Sequence, residues 1–353
     1  MAINHAKIRS DYVLTATGRS EPVDALPPNG AALAALPVAP APMLAPTLSE
    51  TPLSFWTADP RLPVDRTYDR LAADVLADVS AWAYSDGQTL LDELYHRRMI
   101  DVGTTCHQIS VSNEAMLVVA TAYLIRSHNV GVLCFRGTEP SNVINFLTDA
   151  NVQPKGFLSL GRIHGGFHRN VRAVWDDVAE QIRRAIADED PTRQLRALYI
   201  TGHSLGAAMA VIAGAMIFAD GRYGAWQPLV RGVYTYGQPM VGDDDFARSC
   251  ESRFGKLVFR HIYDHDLVPR MPPMTTGRFC HFGAEYAGTE KGWSPRAKAV
   301  EQAVTALWSI PLGAAAFVFK QLPVLSWVPL PFSIDDHSPN SYLEAFRAVR
   351  DWA

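Results

Sequence analysis

The apolar residues of this chain recur with two different spacings, and these spacings predict both strands and helices. Short apolar runs predict buried strands at residues 108–111, 116–125, 130–135, 198–200 and 257–263. Apolar positions three and four residues apart predict a helix with one buried face at residues 68–84 and another at 167–187. A further helix is predicted near the C-terminus, at residues 341–352.

The order of these elements indicates the fold class. Strands that alternate with helices favour a largely parallel, twisted sheet that helices cover on both faces, which is an α/β architecture. The early strands between residues 104 and 125 follow one another with no helix between them. We therefore expect them to form an antiparallel edge of the sheet.

The N-terminal segment differs in composition from the rest of the chain. Residues 25–48 consist largely of alanine and proline and include no charged residue. Because proline sustains neither a helix nor a strand ladder, we expect residues 1–52 to be extended or disordered, as a linker or tether. The globular part is then predicted to comprise residues 53–353.

Composition and charge exclude several classes of protein. The chain is 48% hydrophobic and 19% charged with a net charge of −4, which allows a full core. It has no basic stripe with interleaved aromatic residues, so we predict no nucleic-acid partner. No positively charged start followed by an apolar stretch marks a secretory signal. The default expectation is a cytoplasmic location, with signal-independent export and membrane association left open.

Cysteine and histidine spacing gives no sign of a metal or a cofactor. The four cysteines form no C-x-x-C motif, and a bridge between Cys250 and Cys280 stays open. His164 and His168 are four residues apart but lack the carboxylate that such a metal site would carry. We therefore predict no metal and no cofactor.

One short motif carries the strongest chemical signal. The segment 202–206 reads Gly-His-Ser-Leu-Gly and lies between a predicted strand and a helical run of small residues. In that context a G-x-S-x-G pentapeptide forms a nucleophile elbow, with Ser204 at the apex of a strained turn. The following helix N-terminus favours the negative charge that develops in acyl transfer. The alternative is an incidental turn serine.

A nucleophilic serine needs a base and an orienting acid, which on such a sheet follow in the order Ser, Asp, His. The histidines after the elbow are His261, His265, His281 and His337. We favour His337, because it lies on a polar turn just before the C-terminal helix. The loop after the strand at 257–263 offers Asp264 and Asp266 as the acid, and the residues alone leave both open.

Several blocks, in order, resemble the class 3 (fungal-type) lipases. They are residues 132–138 (Val-Leu-Cys-Phe-Arg-Gly-Thr), 145–149, 164–167, the elbow itself, 235–242, 266–273 and the Asp-His-Ser at 336–338 with Tyr342. The resemblance runs from about Tyr68 to Tyr342, and Ala207 and a long apolar segment after residue 296 depart from it. It implies an α/β-hydrolase fold, selects Asp266 over Asp264, supports His337 and assigns Thr138 to the oxyanion hole.

The mechanism that follows is serine ester hydrolysis through an acyl-enzyme intermediate. Backbone N–H groups of Leu205 and Thr138 would bind the oxyanion, with the Thr138 hydroxyl as a third donor. Ordinary structural roles for Thr138, Asp266 and His337 remain alternatives. The resemblance implies acylglycerol-type lipid esters as substrates; a phospholipase A1, a soluble aryl or feruloyl esterase, and a lipid-binding protein with a vestigial site are the other hypotheses.

Two apolar segments bear on the substrate and on a lipid–water interface as partner. Val143, Ile144, Phe146 and Leu147 follow the oxyanion turn, which indicates a lid over the site or else a helix packed on the core. An apolar insertion near residues 297–332 has no charge between residues 303 and 319. It favours peripheral membrane association through 303–332 or a lining for the acyl chain; extra core and a true membrane span are the alternatives.

Overall fold

A ten-stranded sheet forms the centre of the molecule in the computed structural model. The structure describes residues 5–16, 18–23, 53–56, 67–113, 118–138, 153–303 and 333–347. The strands are β1 (His5–Leu14), β2 (Ser20–Pro22), β3 (Thr105–Asn113), β4 (Val118–Ser127), β5 (Val130–Phe135), β6 (Lys155–Phe157), β7 (Gly161–Ile163), β8 (Ala197–His203), β9 (Val230–Tyr236), β10 (Val258–Tyr263), β11 (Ala284–Thr289) and β12 (Gly292–Arg296). The hairpin β6–β7 stands apart from the sheet, whose order is β12-β11-β10-β9-β8-β5-β4-β3-β1-β2.

The middle of this sheet is parallel. Strands β5, β8, β9, β10 and β11 run in one direction, so their carboxyl ends share one edge, which we call the carboxyl edge. Antiparallel pairs extend the sheet on both sides, through β4, β3, β1 and β2 on one and β12 on the other. The predicted α/β-hydrolase class is confirmed, and the early strands form the antiparallel side that was expected.

Helices cover both faces of the sheet. They are α1 (Arg70–Trp82), α2 (Gly87–His96), α3 (Gly165–Ile186), α4 (Leu205–Ala219), α5 (Asp244–Phe254) and α6 (Pro339–Arg347). Helices α3, α4 and α5 pack in one apolar core, and α1, α2 and α6 pack in the other. Helix α4 is apolar and buried on all sides over nearly its whole length, which is typical of a helix inside a domain.

The N-terminal residues contradict the expectation of a disordered segment over 1–52. Strand β1 pairs antiparallel with β3 from His5 opposite Asn113 to Val13 opposite Thr105. Asp177 on α3 forms ion pairs with Lys7 and with Arg9, the latter at 2.6 Å. The expectation is wrong for β1 and β2, which therefore belong to the same sheet as the rest of the domain. Residues 24–52 lie outside the described ranges.

Two further expectations concern helices in membranes and disulfide bonds. Within the described ranges, no single helix combines the length and the apolar character needed to cross a membrane. Helix α4 and the 3-10 turn after it pass that test only as a pair, and they meet at an angle of 110°.

All four cysteines are free, so the open question of a bridge is answered: Cys250 is a buried thiol and Cys280 a partly exposed one.

Candidate active site

The elbow connects the end of β8 to the start of α4 and holds Ser204 in a strained backbone conformation. Ser204 has φ of 61° and ψ of −127°, a region that non-glycine residues rarely adopt. A Cβ atom at Gly202 would lie 2.4 Å from the carbonyl carbon of Gly206, and one at Gly206 would lie 2.0 Å from the carbonyl oxygen of Phe135. Both glycines are therefore required by close backbone approach, as the motif predicts.

The Ser204 side chain is fully buried at the carboxyl edge. Its backbone N–H donates to the carbonyl of Tyr236 at 2.9 Å, which ties the elbow to the neighbouring strand β9. Its Oγ atom has no hydrogen-bond partner among the residues that the structure describes. Leu205, also buried, begins α4, where the first backbone N–H groups lack partners inside the helix.

Asp266 lies on the loop after β10 and receives three hydrogen bonds. His337 Nδ1 lies 2.7 Å from Oδ2 and the Tyr342 hydroxyl donates to the same oxygen at 2.5 Å, while the Val268 N–H donates to Oδ1 at 2.8 Å. Because an ionised carboxylate only accepts, Nδ1 of His337 carries the proton and Nε2 keeps its lone pair. The carboxylate thus fixes the tautomer that a general base requires.

The loops that carry these two residues are joined to each other. Ser333 forms a parallel bridge with Asp266 and donates its N–H to the carbonyl of His265 at 2.9 Å. His337 ends the short 3-10 turn before α6. Gly237, at the end of β9, has a φ of +59°, and a Cβ there would lie 2.7 Å from Cε1 of His337. The imidazole therefore packs directly on a glycine backbone.

The contact between base and nucleophile is open in this structure. His337 Nε2 is buried and, like Ser204 Oγ, has no hydrogen-bond partner in the described part of the chain. His203, which directly precedes Ser204 in the chain, packs on His337, with 4.6 Å between the two ring centres. The structure thus joins His337 to Asp266 but does not form the serine–histidine hydrogen bond. Such bonds are often long before substrate binds.

The turn after β5 lies against the elbow. A Cβ at Gly137 would come within 2.6 Å of the His203 carbonyl oxygen, so this turn passes directly beside the residue that precedes the nucleophile. Thr138 follows and is partly buried. The structure therefore places Thr138 and Leu205 on neighbouring segments at the carboxyl edge. The four apolar positions predicted as a lid, Val143, Ile144, Phe146 and Leu147, lie outside the described residues.

A family model described as lipase (class 3) matches residues 132–276. Over these residues the chain is similar to the class 3 lipases. The matched range includes Thr138, the elbow and Asp266, but it ends before His337, whose place in the site rests on its contact with Asp266. The resemblance of separate sequence blocks and the family match therefore agree over the central part of the domain.

The curated relatives match only part of this chain. A secreted mono- and diacylglycerol lipase of Fusarium solani is 33% identical over 146 residues, which are 41% of this chain and 40% of the relative. A lipase of Rhizomucor miehei is 30% identical over 211 residues, 56% of this chain and 55% of the relative. The chain thus spans about half, or less, of the length of these two relatives.

A solved structure agrees with the fold over a longer range. A deletion mutant of the Rhizomucor miehei lipase, in complex with its propeptide, has a TM-score of 0.53 at 20% identity. The match covers 84% of this chain and 93% of that one. At this identity the likeness establishes the α/β-hydrolase fold alone.

The cytoplasmic location expected from the sequence is contradicted. The Fusarium solani relative is a secreted enzyme by its name, and fungal lipases recur among the relatives. The expectation rested only on the failure to recognise a leader segment. That observation carries little weight against relatives of this kind, so the expectation is wrong.

The other histidines have different surroundings. Burial lowers the pKa of His261 to about 3, and its Nδ1 donates to the carbonyl of Thr235 at 3.2 Å. His281 is engaged through Nε2 with the carbonyl of Pro269 at 2.7 Å. His265 is exposed and pairs with the neighbouring carboxylate at 2.9 Å. Of the four candidate bases, His337 is the one that contacts Asp266.

Sequence reasoning missed the residues that support the site. Tyr342 was noticed only as part of a matching block, yet its hydroxyl donates to the Asp266 carboxylate. Burial, followed by the charge of Asp266, raises the pKa of Tyr342 well above the usual value. Nδ1 of His203 lies 2.8 Å from the hydroxyl oxygen of Tyr84, within hydrogen-bond distance. Burial, followed by repulsion from His337, holds the pKa of His203 well below its usual range. Only the α6 position of Tyr342, five residues after His337, offered a signal.

One cluster in the described part of the chain could hold a metal ion. The ligand atoms of Asp264, His265 and Asp336 lie within 4.8 Å of one another. The first two are exposed and already paired with each other, and burial raises the pKa of Asp336, which disfavours its charged form. Exposed groups of this kind are common without a metal. The cluster therefore adds nothing to the chemistry of the site.

Proposed function

We propose that this protein is a class 3 lipase, a serine ester hydrolase that cleaves acylglycerol-type lipid esters. Ser204 is the nucleophile, His337 the general base, and Asp266 the residue that orients the base. The observation that carries the proposal is the buried contact of 2.7 Å between His337 Nδ1 and Asp266 Oδ2, beside an elbow serine whose hydroxyl has no partner in the described residues.

In the first half-reaction, His337 Nε2 takes the proton of Ser204 Oγ as this oxygen attacks the ester carbonyl carbon. The carbonyl oxygen becomes an oxyanion, bound by the N–H groups of Leu205 and Thr138 and by the Thr138 hydroxyl. The bond to the leaving alcohol then breaks, and His337 gives its proton to that alcohol. Water repeats these steps on the acyl-enzyme and releases the carboxylic acid.

Two buried neighbours, Asp266 and His203, favour the positive charge that forms on His337 during the reaction. A charged imidazolium forms on His337 in the transition state, and the Asp266 carboxylate stabilises it at close range. His203 packs on the other side of that ring, and its lowered pKa keeps it neutral at ordinary pH. A neutral neighbour avoids repulsion with the imidazolium, which would otherwise oppose proton transfer.

Lipid esters are the substrate class that the surroundings of the site favour. The short stretch 143–147, with its four bulky apolar residues, follows the oxyanion turn in sequence, and we propose that it acts as a lid. The apolar insertion leaves and rejoins the loop that carries Asp266. Ala303 N–H donates to the Arg270 carbonyl at 2.9 Å, and Ser333 N–H donates to the His265 carbonyl at 2.9 Å.

These hydrogen bonds join both ends of the insertion to the loop that carries Asp266. A lipid-facing segment in that position would bring the substrate layer to the carboxyl edge, so peripheral membrane association through residues 303–332 is part of the proposal. The names of the relatives, lipases of mono-, di- and triacylglycerols, agree with the substrate class. Residues 53–353 form the proposed catalytic domain, to which β1 and β2 also contribute.

The test is hydrolysis of short-chain and long-chain p-nitrophenyl esters, below and above their aggregation concentrations. We expect a rate that rises sharply when the long-chain ester aggregates, because a lid that opens at a lipid surface exposes the site only there. Activity confined to dissolved short esters would favour an aryl or feruloyl esterase. Release of fatty acid from phospholipid but not from acylglycerol would assign a phospholipase A1, and no hydrolysis of any ester would leave a lipid-binding protein.

Thr138 offers a direct test of the oxyanion hole. Replacing it with valine keeps the size and the β-branch but removes the hydroxyl, so kcat is expected to fall by about 10²–10³-fold. Serine at the same position keeps the hydroxyl and is expected to retain most of the activity. Both rates are measured with one dissolved ester at saturating concentration. Equal activity of the valine variant and the unaltered enzyme would remove the Thr138 hydroxyl from the mechanism.

A further inference from the structure

A cationic surface lies on the hairpin β6–β7 and the first turns of α3. No acidic residue occurs between residues 150 and 175, whereas this range contains Lys155, Arg162, Arg169 and Arg172. Lys155, Arg162 and Arg172 are exposed, and Arg169 is partly buried. We call these four residues the basic hairpin surface. It is a local excess of positive charge on a chain whose net charge is −4.

The charges of the basic hairpin surface are not neutralised within the described part of the protein. None of its four residues has a carboxylate within ion-pair distance there, and Arg169 Nε is buried without a hydrogen-bond partner. Two arginines elsewhere in the described part show the contrast with a paired cation. Arg97 pairs with Asp78 at 3.1 Å and Arg126 with Asp188 at 2.7 Å. Unpaired cations keep their attraction for an external anion.

Three of these cations lie close enough to one histidine, His168, to lower its pKa. His168 lies on α3 and contacts the ring of Phe157 on β6, with 5.8 Å between the ring centres. Burial lowers the pKa of His168, and Arg172, Lys155 and Arg169 lower it further by repulsion. The cations therefore lie close enough to share one electrostatic field, although they come from two different elements.

The nearest acidic side chains have other partners. Asp243, at the start of α5, accepts the N–H groups of Phe246 and Arg162. Asp220 binds the guanidinium of Arg222 at 2.6 Å, although Arg172 also lies close enough to lower its pKa. Asp176 is one turn beyond Arg172 on α3. These residues mark the border of the cationic surface rather than its interior.

The basic hairpin surface is at the same edge of the molecule as the proposed active site. Ile163 at the end of β7 forms a bridge with Gly242, and the His164 N–H donates to the Val241 carbonyl at 3.0 Å. The same loop begins at Gly237, which packs on His337. One short loop therefore contacts both the hairpin and the proposed base.

The tip of the hairpin presents an apolar side chain to solvent. Leu158 is 41% exposed and has a φ of +45°, and Ser159 beside it has a φ of +57°. Such left-handed turn positions favour glycine or asparagine, so a leucine there is strained and gains little from burial in the fold. An exposed leucine between cations is a combination typical of surfaces that meet a lipid layer.

We propose that the basic hairpin surface docks the enzyme on an anionic lipid interface, with Leu158 entering the layer between the headgroups. The proposal rests on the proposed lipid ester hydrolysis, since it supplies the orientation in which the carboxyl edge faces the substrate. Positive charge on one edge of a net negative molecule orients it toward a negative layer. Neutral and anionic lipids are therefore not equivalent surfaces for this enzyme.

The experiment measures vesicle binding by the full chain in a Ser204→Ala background, so that lipid is not consumed. Vesicles of phosphatidylcholine alone are compared with vesicles that also contain phosphatidylglycerol, at low and high salt. Neutralising one cation near such a surface weakens binding about five-fold, so the double variant Lys155→Gln, Arg172→Gln is expected to bind anionic vesicles roughly 25-fold less tightly.

A matched control comes from the opposite edge of the sheet. Arg196 and Lys256 are exposed and lie just before β8 and β10, at the amino ends of the parallel strands. The variant Arg196→Gln, Lys256→Gln changes the net charge by the same amount and is expected to bind anionic vesicles as the parent does. An equal loss in both double variants, no loss in either, or no preference of the parent for anionic vesicles would overturn the proposal.

Two readouts separate this proposal from the proposed function. The hairpin variants, made in the active enzyme, are expected to hydrolyse a dissolved short-chain ester at the unaltered rate, since no hairpin side chain is part of the proposed catalytic machinery. Absence of Ser204-dependent hydrolysis would remove the proposed function whatever the vesicles show. Leu158→Asn suits the left-handed turn and is expected to weaken the binding that persists at high salt; unchanged binding would remove the leucine from the docking surface.

Discussion

Replacing Ser204 with alanine is expected to lower kcat for ester hydrolysis by about a million-fold. The hydroxyl is the only group removed, and among the described residues no other side chain offers a nucleophile in the same position. The residual rate then reflects the oxyanion donors and binding alone. Hydrolysis of one dissolved ester measures the loss, and a fluorophosphonate that labels the parent but not the variant identifies the reactive group.

The same substitution is expected to leave the fold intact or to stabilise it slightly. Ser204 Oγ is fully buried and has no hydrogen-bond partner in the described residues, so alanine removes a desolvated polar group without breaking a contact. The free energy of unfolding should be unchanged or higher by up to about 1 kcal/mol. Thermal unfolding checks this. A parent-like rate in the alanine variant would refute the assignment of Ser204, whereas an unfolded variant would show that the hydroxyl supports the fold.

The second large effect is expected for Asp266→Asn. The carboxylate accepts from His337 Nδ1 at 2.7 Å, whereas an amide can also turn its NH₂ group toward the imidazole and select the wrong tautomer. It also removes the charge that stabilises the imidazolium. We expect kcat to fall by roughly 10⁴-fold, with little change in the binding of substrate.

Tyr342→Phe is the matched comparison for that experiment. It removes one donor from the same carboxylate oxygen but keeps the charge and the contact with His337, so its effect on kcat should be far smaller. Steady-state kinetics of both variants with one ester, beside their thermal unfolding, give the comparison. If Asp266→Asn retained full activity, or if the tyrosine variant lost as much, Asp266 could not be acting through its charge and its hold on His337.

The elbow could be predicted from sequence because all its requirements are local. A buried strand, two glycines and a helix of small residues lie within one short stretch, and each has its own steric reason in the structure. Gly206 lies against the carbonyl of Phe135. The sequence does not identify this neighbour, but the motif predicts that some backbone group approaches this position so closely that only glycine fits. The strained backbone of Ser204 follows from the same motif.

The partners of the serine are harder to predict, because they meet across long stretches of chain. Periodicity left four histidines and two aspartates open, and only the resemblance to a family selected Asp266. The structure adds two contacts. Tyr342 donates a hydrogen bond to the Asp266 carboxylate, and Gly237 packs against the imidazole of His337. Both residues lie in blocks that resemble the family, but no local pattern assigns them a contact with the site, since a buried tyrosine and a turn glycine are common in any domain.

The error at the N-terminus has a different cause. The alanine- and proline-rich stretch dominates the composition of residues 1–52. For that reason the whole segment was predicted to be extended or disordered. Within residues 5–14 the exposed positions Lys7, Arg9 and Asp11 alternate with less exposed ones, which is the period of a strand. The partner strand β3 is distant in sequence, and pairing across such a distance is what a local pattern cannot predict.

That distant pairing has a consequence for synthesis on the ribosome. Strand β1 leaves the ribosome before its partner, since β3 begins at Thr105, roughly ninety residues later, which at typical elongation rates is a wait of about 5–20 s. During that time its backbone donors and acceptors have no sheet to join. The charges at Lys7, Arg9 and Asp11 discourage pairing with another nascent chain. The same charges that face solvent in the finished sheet would thus act earlier as protection against aggregation.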